Sequence, residues 1–126
     1  MSQTIIYCDG GSLNNQDSEK RQGYASFKVN EKIVRIDNLG QVTNNYAEYI
    51  SLIKSAKYCL DNNIENTDII FNMDSALVVN QVNGAWKIRS ESIRSLHKEA
   101  LSYLTQLSNW ELKWVNNLIM KQILGH

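Results

Sequence analysis

The chain has 126 residues, 43% of them hydrophobic and 21% charged, a balance that suits a soluble globular domain and excludes a disordered or fibrous chain. The formal net charge is zero, with 7 basic and 10 acidic side chains in residues 1–80 against 6 and 3 in residues 81–126. That distribution excludes indiscriminate polyanion binding by the whole surface but allows a local basic stripe. No apolar run is long enough for a membrane helix and no signal peptide is evident, so one cytoplasmic domain spanning residues 1–126 is expected, with no membrane partner.

In chain order, Gln3–Asp9 (QTIIYCD) is a short β-rich run that stops at Gly10 and Gly11. Ser12–Gln22 is polar and charged, a loop or hairpin tip. Gly23–Val29 and Ile33–Leu39 read as two more strands, and the short connections suggest an antiparallel meander. The stretch TNNYAEYISLIKSA (Thr43–Ala56) then opens a helix, with Tyr49, Ile50, Ile53, Ala56 and Leu60 on one face. Asp61–Asp68 ends it. Ile69–Met73 is a fourth strand closing on Asp74, and Ser75–Val82 a short helix broken by Asn83 and Gly84. Glu91–Leu107 is a longer helix with Ile93, Leu96, Ala100, Leu101 and Leu104 on one side, and Trp110–Val115 alternates as a fifth strand. NNLIMKQILGH leaves room for one or two helical turns. Strands first, then helix–strand alternation, predict an α/β domain with a mixed sheet and helices packed on it. Cys8 and Cys59 lack the spacing of a zinc knuckle or redox pair and read as small core residues.

Three acids stand out, and each has an ordinary reading. Asp9 ends a strand before two glycines, which fits a turn; the other reading is a metal ligand, with Gly10 and Gly11 letting a substrate backbone approach. Glu48 completes an Asn45-x-x-Glu48 capping box if Asn45 caps the helix. A carboxylate in a first helical turn is held ionised by the dipole, which also suits it to a cation. Asp74 precedes a helix and fits an N-cap. Should the two strands end on one side of the sheet, Asp9, Glu48 and Asp74 would form an oxygen site suited to Mg²⁺ or Mn²⁺ rather than zinc.

YCDGGS (Tyr7–Ser12), GYASFKV, TNNYAEYISLIKSA, MDSALVVNQVNGAWKIR (Met73–Arg89) and WELKWV occur in the order and at about the spacings of type 1 ribonuclease H, and together the sequence resembles that family over nearly its whole length. The resemblance implies a ribonuclease H-like fold, with a five-stranded mixed sheet whose first three strands are antiparallel. It implies an endonuclease that hydrolyses the RNA strand of an RNA–DNA hybrid with two divalent ions, Mg²⁺ or Mn²⁺. Asp9, Glu48 and Asp74 fall on three of the family's four acids. Asn44 and Asn45, with the backbone at Gly11 and Ser12, fall where the family contacts the RNA strand. Asn80, Trp86 and Lys87 fall along the DNA strand, where Arg89 adds charge; packing in the core or rim is the other reading of Trp86. A monomer is expected.

The match fails at the C-terminal end. No acid follows Glu111, and the fourth acid aligns with Leu124 or, with a two-residue deletion, with Gln122. The final helix is therefore expected to be short, and one ion weakly held. His126, or the terminal carboxylate, is a speculative fourth ligand. Three functions follow: a ribonuclease H weakened by the missing acid, a non-catalytic binder of hybrid or protein, or a different nuclease on the same fold.

Overall fold

The structure, a computed structural model, describes residues 2–125. The expectation placed on His126 lies outside them. The elements run β1 (Gln3–Leu13), β2 (Gln22–Val29), β3 (Lys32–Ile36), α1 (Asn44–Asp61), β4 (Asp68–Met73), α2 (Ala76–Val82), α3 (Glu91–Leu104), β5 (Asn109–Trp114) and α4 (Asn117–Leu124). The strands form one sheet in the order β3-β2-β1-β4-β5. The first three are mutually antiparallel, and β4 and β5 add in parallel beyond β1. The predicted element order and the mixed sheet are therefore observed.

Three boundaries differ for physical reasons. β1 does not stop at the glycines, because Gly10, Gly11, Ser12 and Leu13 keep pairing with Ala25, Tyr24, Gly23 and Gln22. β3 ends at Ile36, before Asn38 takes up a positive φ of 62°. α3 stops at Leu104, and the periodicity that reached Leu107 is kept by a tight turn in which the Leu107 N–H donates to the Leu104 carbonyl at 3.0 Å. Leu107 still drops into the core.

Alternation along β1 places Ile6 and Cys8 in the core and turns Ile5 and Tyr7 to the opposite face. Ile69, Phe71 and Met73 of β4 lie beside them, and α1 packs over β1 and β2 with Tyr49, Leu52, Ile53 and Ala56 fully or almost fully buried. α3 packs beside α1, and Ser51 and Ser55 are also buried, the Ser55 hydroxyl lying 3.1 Å from the Cys8 thiol of β1. Their hydroxyls donate to the Glu48 and Leu52 carbonyls at 2.7 and 2.9 Å, so burying them leaves no unpaired donor. Cys8 and Cys59 are buried thiols, as expected. α4 lies against β1 and β2 on the Ile5–Tyr7 face, anchored by the buried Met120 and Leu124. Among the described residues no helix is long and apolar enough to cross a membrane.

Candidate active site

Parallel pairing between β1 and β4 ends at Cys8 and Met73, so the next residues, Asp9 and Asp74, emerge side by side. Glu48 reaches them from the start of α1. One ligand oxygen from each of the three carboxylates lies within 4.8 Å of the others. The convergence that local sequence leaves open is thus present.

The ordinary readings of Glu48 and Asp74 do not hold. The cap of α1 is Thr43, whose hydroxyl accepts from the Tyr46 N–H at 3.2 Å, so the Asn45–Glu48 capping box is absent. Glu48 Oε1 accepts instead from the N–H of Gly10, across on β1. The cap of α2 is Ser75, which accepts from the Val78 N–H at 3.2 Å, leaving the Asp74 carboxylate to face the cleft. Both helices are capped by a hydroxyl next to or near the acid, and the acids are released from capping.

Gly10 and Gly11 also act differently from expectation. A β-carbon on Gly10 would sit 2.2 Å from the Ala47 carbonyl oxygen, so the backbone that approaches Gly10 is that of α1, not of a substrate. A β-carbon on Gly11 would meet the Tyr24 hydroxyl at 2.6 Å. These glycines let α1 and Tyr24 close over β1, and the Gly10 contact is what brings Glu48 to Asp9.

The resulting charge is crowded. Glu48 is 6% exposed, and burial, followed by the negative charge of Asp9, pushes its carboxyl pKa up to about 10; the protonated form donates to Asp9. The Tyr24 hydroxyl, above the same cleft, is raised by desolvation and by Asp9, with Arg35 stacked 4.8 Å from its ring opposing the shift. Three oxygen donors that resist ionising together fit a hard divalent cation, whose charge would relieve the repulsion.

The acids open onto a cleft of about 400 Å³ that also contains Gly10, Gly11, Tyr24, Asn44, Asn45 and Ser75. Asn44 is braced: its Oδ1 accepts from the Ser12 N–H at 2.7 Å, and its own N–H donates to Asn15 Oδ1 at 3.0 Å. Asn45 faces both this cleft and a second groove of about 510 Å³ lined by Trp86, Lys87, Arg89, Gln81 and Ile93. The start of α1 is therefore a ridge between an acidic cleft and an aromatic, basic groove. Trp86 is 50% exposed, which rules out the core reading. Asn80 does not line the groove. Its amide donates to the Ala76 carbonyl of its own helix at 2.7 Å, and its carbonyl accepts from the Ala85 and Trp86 N–H groups, setting the turn that carries Trp86.

A family model described as reverse transcriptase-like matches residues 7–119, a span that includes all three acids, both asparagines and Trp86. The RNase H1 of the halophilic archaeon Halobacterium salinarum superposes with a TM-score of 0.81 at 26% identity, over 95% of this chain and 90% of that one. The chain belongs to the type 1 ribonuclease H family. The bifunctional protein Rv2228c of Mycobacterium tuberculosis is 30% identical over 116 residues, 88% of this chain and 30% of that protein. LC11-RNase H1, solved in complex with an RNA/DNA hybrid, superposes with a TM-score of 0.83 at 19% identity, over 94% and 89% of the two chains, a likeness of fold. The chain spans about a third of the length of the curated relatives it matches.

Against that ribonuclease H frame the last helix is the departure. Neither position aligned with the fourth acid reaches the cleft: Leu124 is buried in the packing of α4, and Gln122 is exposed and does not line the cleft. α4 instead presents Asn117 and Lys121, four residues apart and so on one side of the helix. Asn117 Nδ2 donates to Asp74 Oδ2 at 2.8 Å. Sequence reasoning missed Tyr24, Ser75, Asn117 and Lys121. The one available signal was the i, i+4 spacing of Asn117 and Lys121 offset from the apolar pair Met120 and Leu124.

Proposed function

We propose that residues 1–126 form a ribonuclease H domain that hydrolyses the RNA strand of an RNA–DNA hybrid at a divalent-cation site held by Asp9, Glu48 and Asp74. The observation that carries this reading is the meeting of those three carboxylates beside the Asn44–Asn45 ridge. A family neighbour by fold, LC11-RNase H1, has been solved in complex with RNA/DNA hybrid, which supports the choice of substrate.

A bound Mg²⁺ or Mn²⁺ would supply Lewis-acid activation of a water and charge relief at the scissile phosphate. In the hydrolysis itself, the water oxygen bonds to phosphorus as the P–O3′ bond breaks. The electron pair leaves on O3′, which takes up a proton, and the attacking water gives one to solvent. Asp9, Glu48 and Asp74 are the residues that would hold such a cation. Asn44 and Asn45, on the exposed first turn of α1, offer amides to 2′-hydroxyls and base edges in the minor groove, the features that mark RNA. The backbone at Gly11 and Ser12 runs alongside the same strand, with the Ser12 N–H engaged in bracing Asn44. Across the ridge, the Trp86 ring packs against a sugar of the DNA strand while Lys87 and Arg89 meet its phosphates. Asn80 acts by holding the Trp86 turn rather than by contact.

The test is an end-labelled hybrid incubated with the protein in Mg²⁺ and in Mn²⁺, with Asp9→Asn in parallel. Cleavage of the RNA strand alone, lost in Asp9→Asn, is the expected outcome. A second reading, a binding module without catalysis, is favoured by one observation: the residues that α4 brings to the acidic cleft are an amide, Asn117, and an ammonium, Lys121, with no acid between them. Hybrid bound in a gel shift but intact in both metals would establish that reading in place of the first.

A further inference from the structure

Among the described residues, the α4 face of the acidic cleft carries no carboxylate. Its two cleft-lining residues are Asn117, bonded to one oxygen of Asp74, and Lys121. The ribonuclease H resemblance implies four acids and two divalent cations. Four carboxylates neutralise two divalent ions; three carboxylates and one ammonium neutralise one. A second divalent ion on this side would have one ligand fewer and would meet a like charge. The geometry is also fixed rather than incidental. Met120 and Leu124 lock the helix rotation by burial, so residues 117 and 121 line the acidic cleft and residue 122 does not.

We propose that this site takes a single divalent cation and that the Lys121 ammonium supplies the second positive charge, facing the scissile phosphate from α4. This rests on the ribonuclease H reading for its substrate. Lys121 acts by charge alone: it offsets charge on the phosphate oxygens and on O3′ as the P–O3′ bond breaks, and it transfers nothing. Asn117 is a positioning residue. By donating to Asp74 Oδ2 it fixes the rotation of that carboxylate beside Asp9 and Glu48. Lys121 also lies in the last turn of α4, where a cation complements the helix dipole. That purely structural role would shift thermal stability and leave the number of bound ions unchanged.

The experiment counts Mn²⁺ bound to the metal-free chain by titration calorimetry and by electron paramagnetic resonance of free Mn²⁺, for the wild type, Lys121→Glu and Lys121→Met. Hybrid cleavage and hybrid binding are measured on the same samples. The expected result is one Mn²⁺ for the wild type and for Lys121→Met, and a second, weaker Mn²⁺ for Lys121→Glu. Lys121→Met should also lose cleavage by roughly a hundredfold, the scale for removing one transition-state charge partner, with hybrid affinity changed far less. Two ions on the wild type, or one ion on Lys121→Glu, would overturn the proposal, as would full cleavage by Lys121→Met. If no protein in the set cleaves hybrid, the ribonuclease reading falls, while the ion count still decides whether Lys121 takes the second cation's place.

Discussion

Replacing Glu48 by Gln removes a buried carboxyl whose ionisation is opposed by burial and by Asp9, and keeps an oxygen that can accept from the Gly10 N–H. In the metal-free protein the Glu48 carboxyl is raised from 4.5 to about 10 by burial and by Asp9. Between those values the folded chain holds a proton that the unfolded chain has released. The stability contributed by this group is therefore fully present below about pH 4.5 and is lost as the pH rises toward 10. From pH 5 to pH 8 the upper bound is ~4 kcal/mol, at about 1.4 kcal/mol per pH unit. Glu48 and Asp9 share one proton and the cleft is open to water, which lowers the expected loss to ~2 kcal/mol. For a chain of this length that is a fall in Tm of roughly 8 °C. The assay is thermal unfolding in EDTA across this range for wild type and Glu48→Gln. The variant should be the flatter of the two and the more stable at pH 8, and Mg²⁺ should raise the wild-type Tm more than the variant's. Parallel pH profiles for the two proteins would refute the burial argument, because the difference between them isolates the group at position 48.

Gly10→Ala would force its β-carbon against the Ala47 carbonyl, where only the backbone can yield, and should cost about 3 kcal/mol or more in urea unfolding together with loss of Mn²⁺ affinity; an unchanged midpoint would mean that α1 is not held against β1 there. Trp86→Ala, at a half-exposed position, should leave Tm within about 1 °C and weaken hybrid binding about fivefold to tenfold in a gel shift, in line with roughly 1 kcal/mol for one aromatic contact.

The strands, the main helices and the three acids can all be found in the sequence, because apolar periodicity and turn residues mark them locally. Their meeting cannot. Asp9 and Asp74 are neighbours only because β4 pairs in parallel with β1, a contact across more than sixty residues that no local pattern encodes. Cap assignment fails for a different reason. Thr43, Asn44 and Asn45 are all competent caps, as are Asp74 and Ser75, and the choice is made by where tertiary packing starts the helix. The glycines invite a substrate reading until the approach of α1 fills the space above Gly10. Lys121 is invisible as a site residue until Met120 and Leu124 set the rotation of α4. Gln122, one residue beyond Lys121, is turned by about 100° from it around the helix and so lies off the cleft, while Leu124 is taken up by the packing of α4.

The contact between Gly10 and Ala47 makes the gap between Glu48 and Asp9 a property of the main chain rather than of side-chain choice. Two carboxylates from different elements are held at a spacing set by a helix resting directly on a strand, with no intervening methyl group to compress. A cation arriving at such a pair would find the two carboxyl groups already spaced, with the proton they hold between them as the thing to displace. Capture would then release that proton, and loss of the ion would take it back.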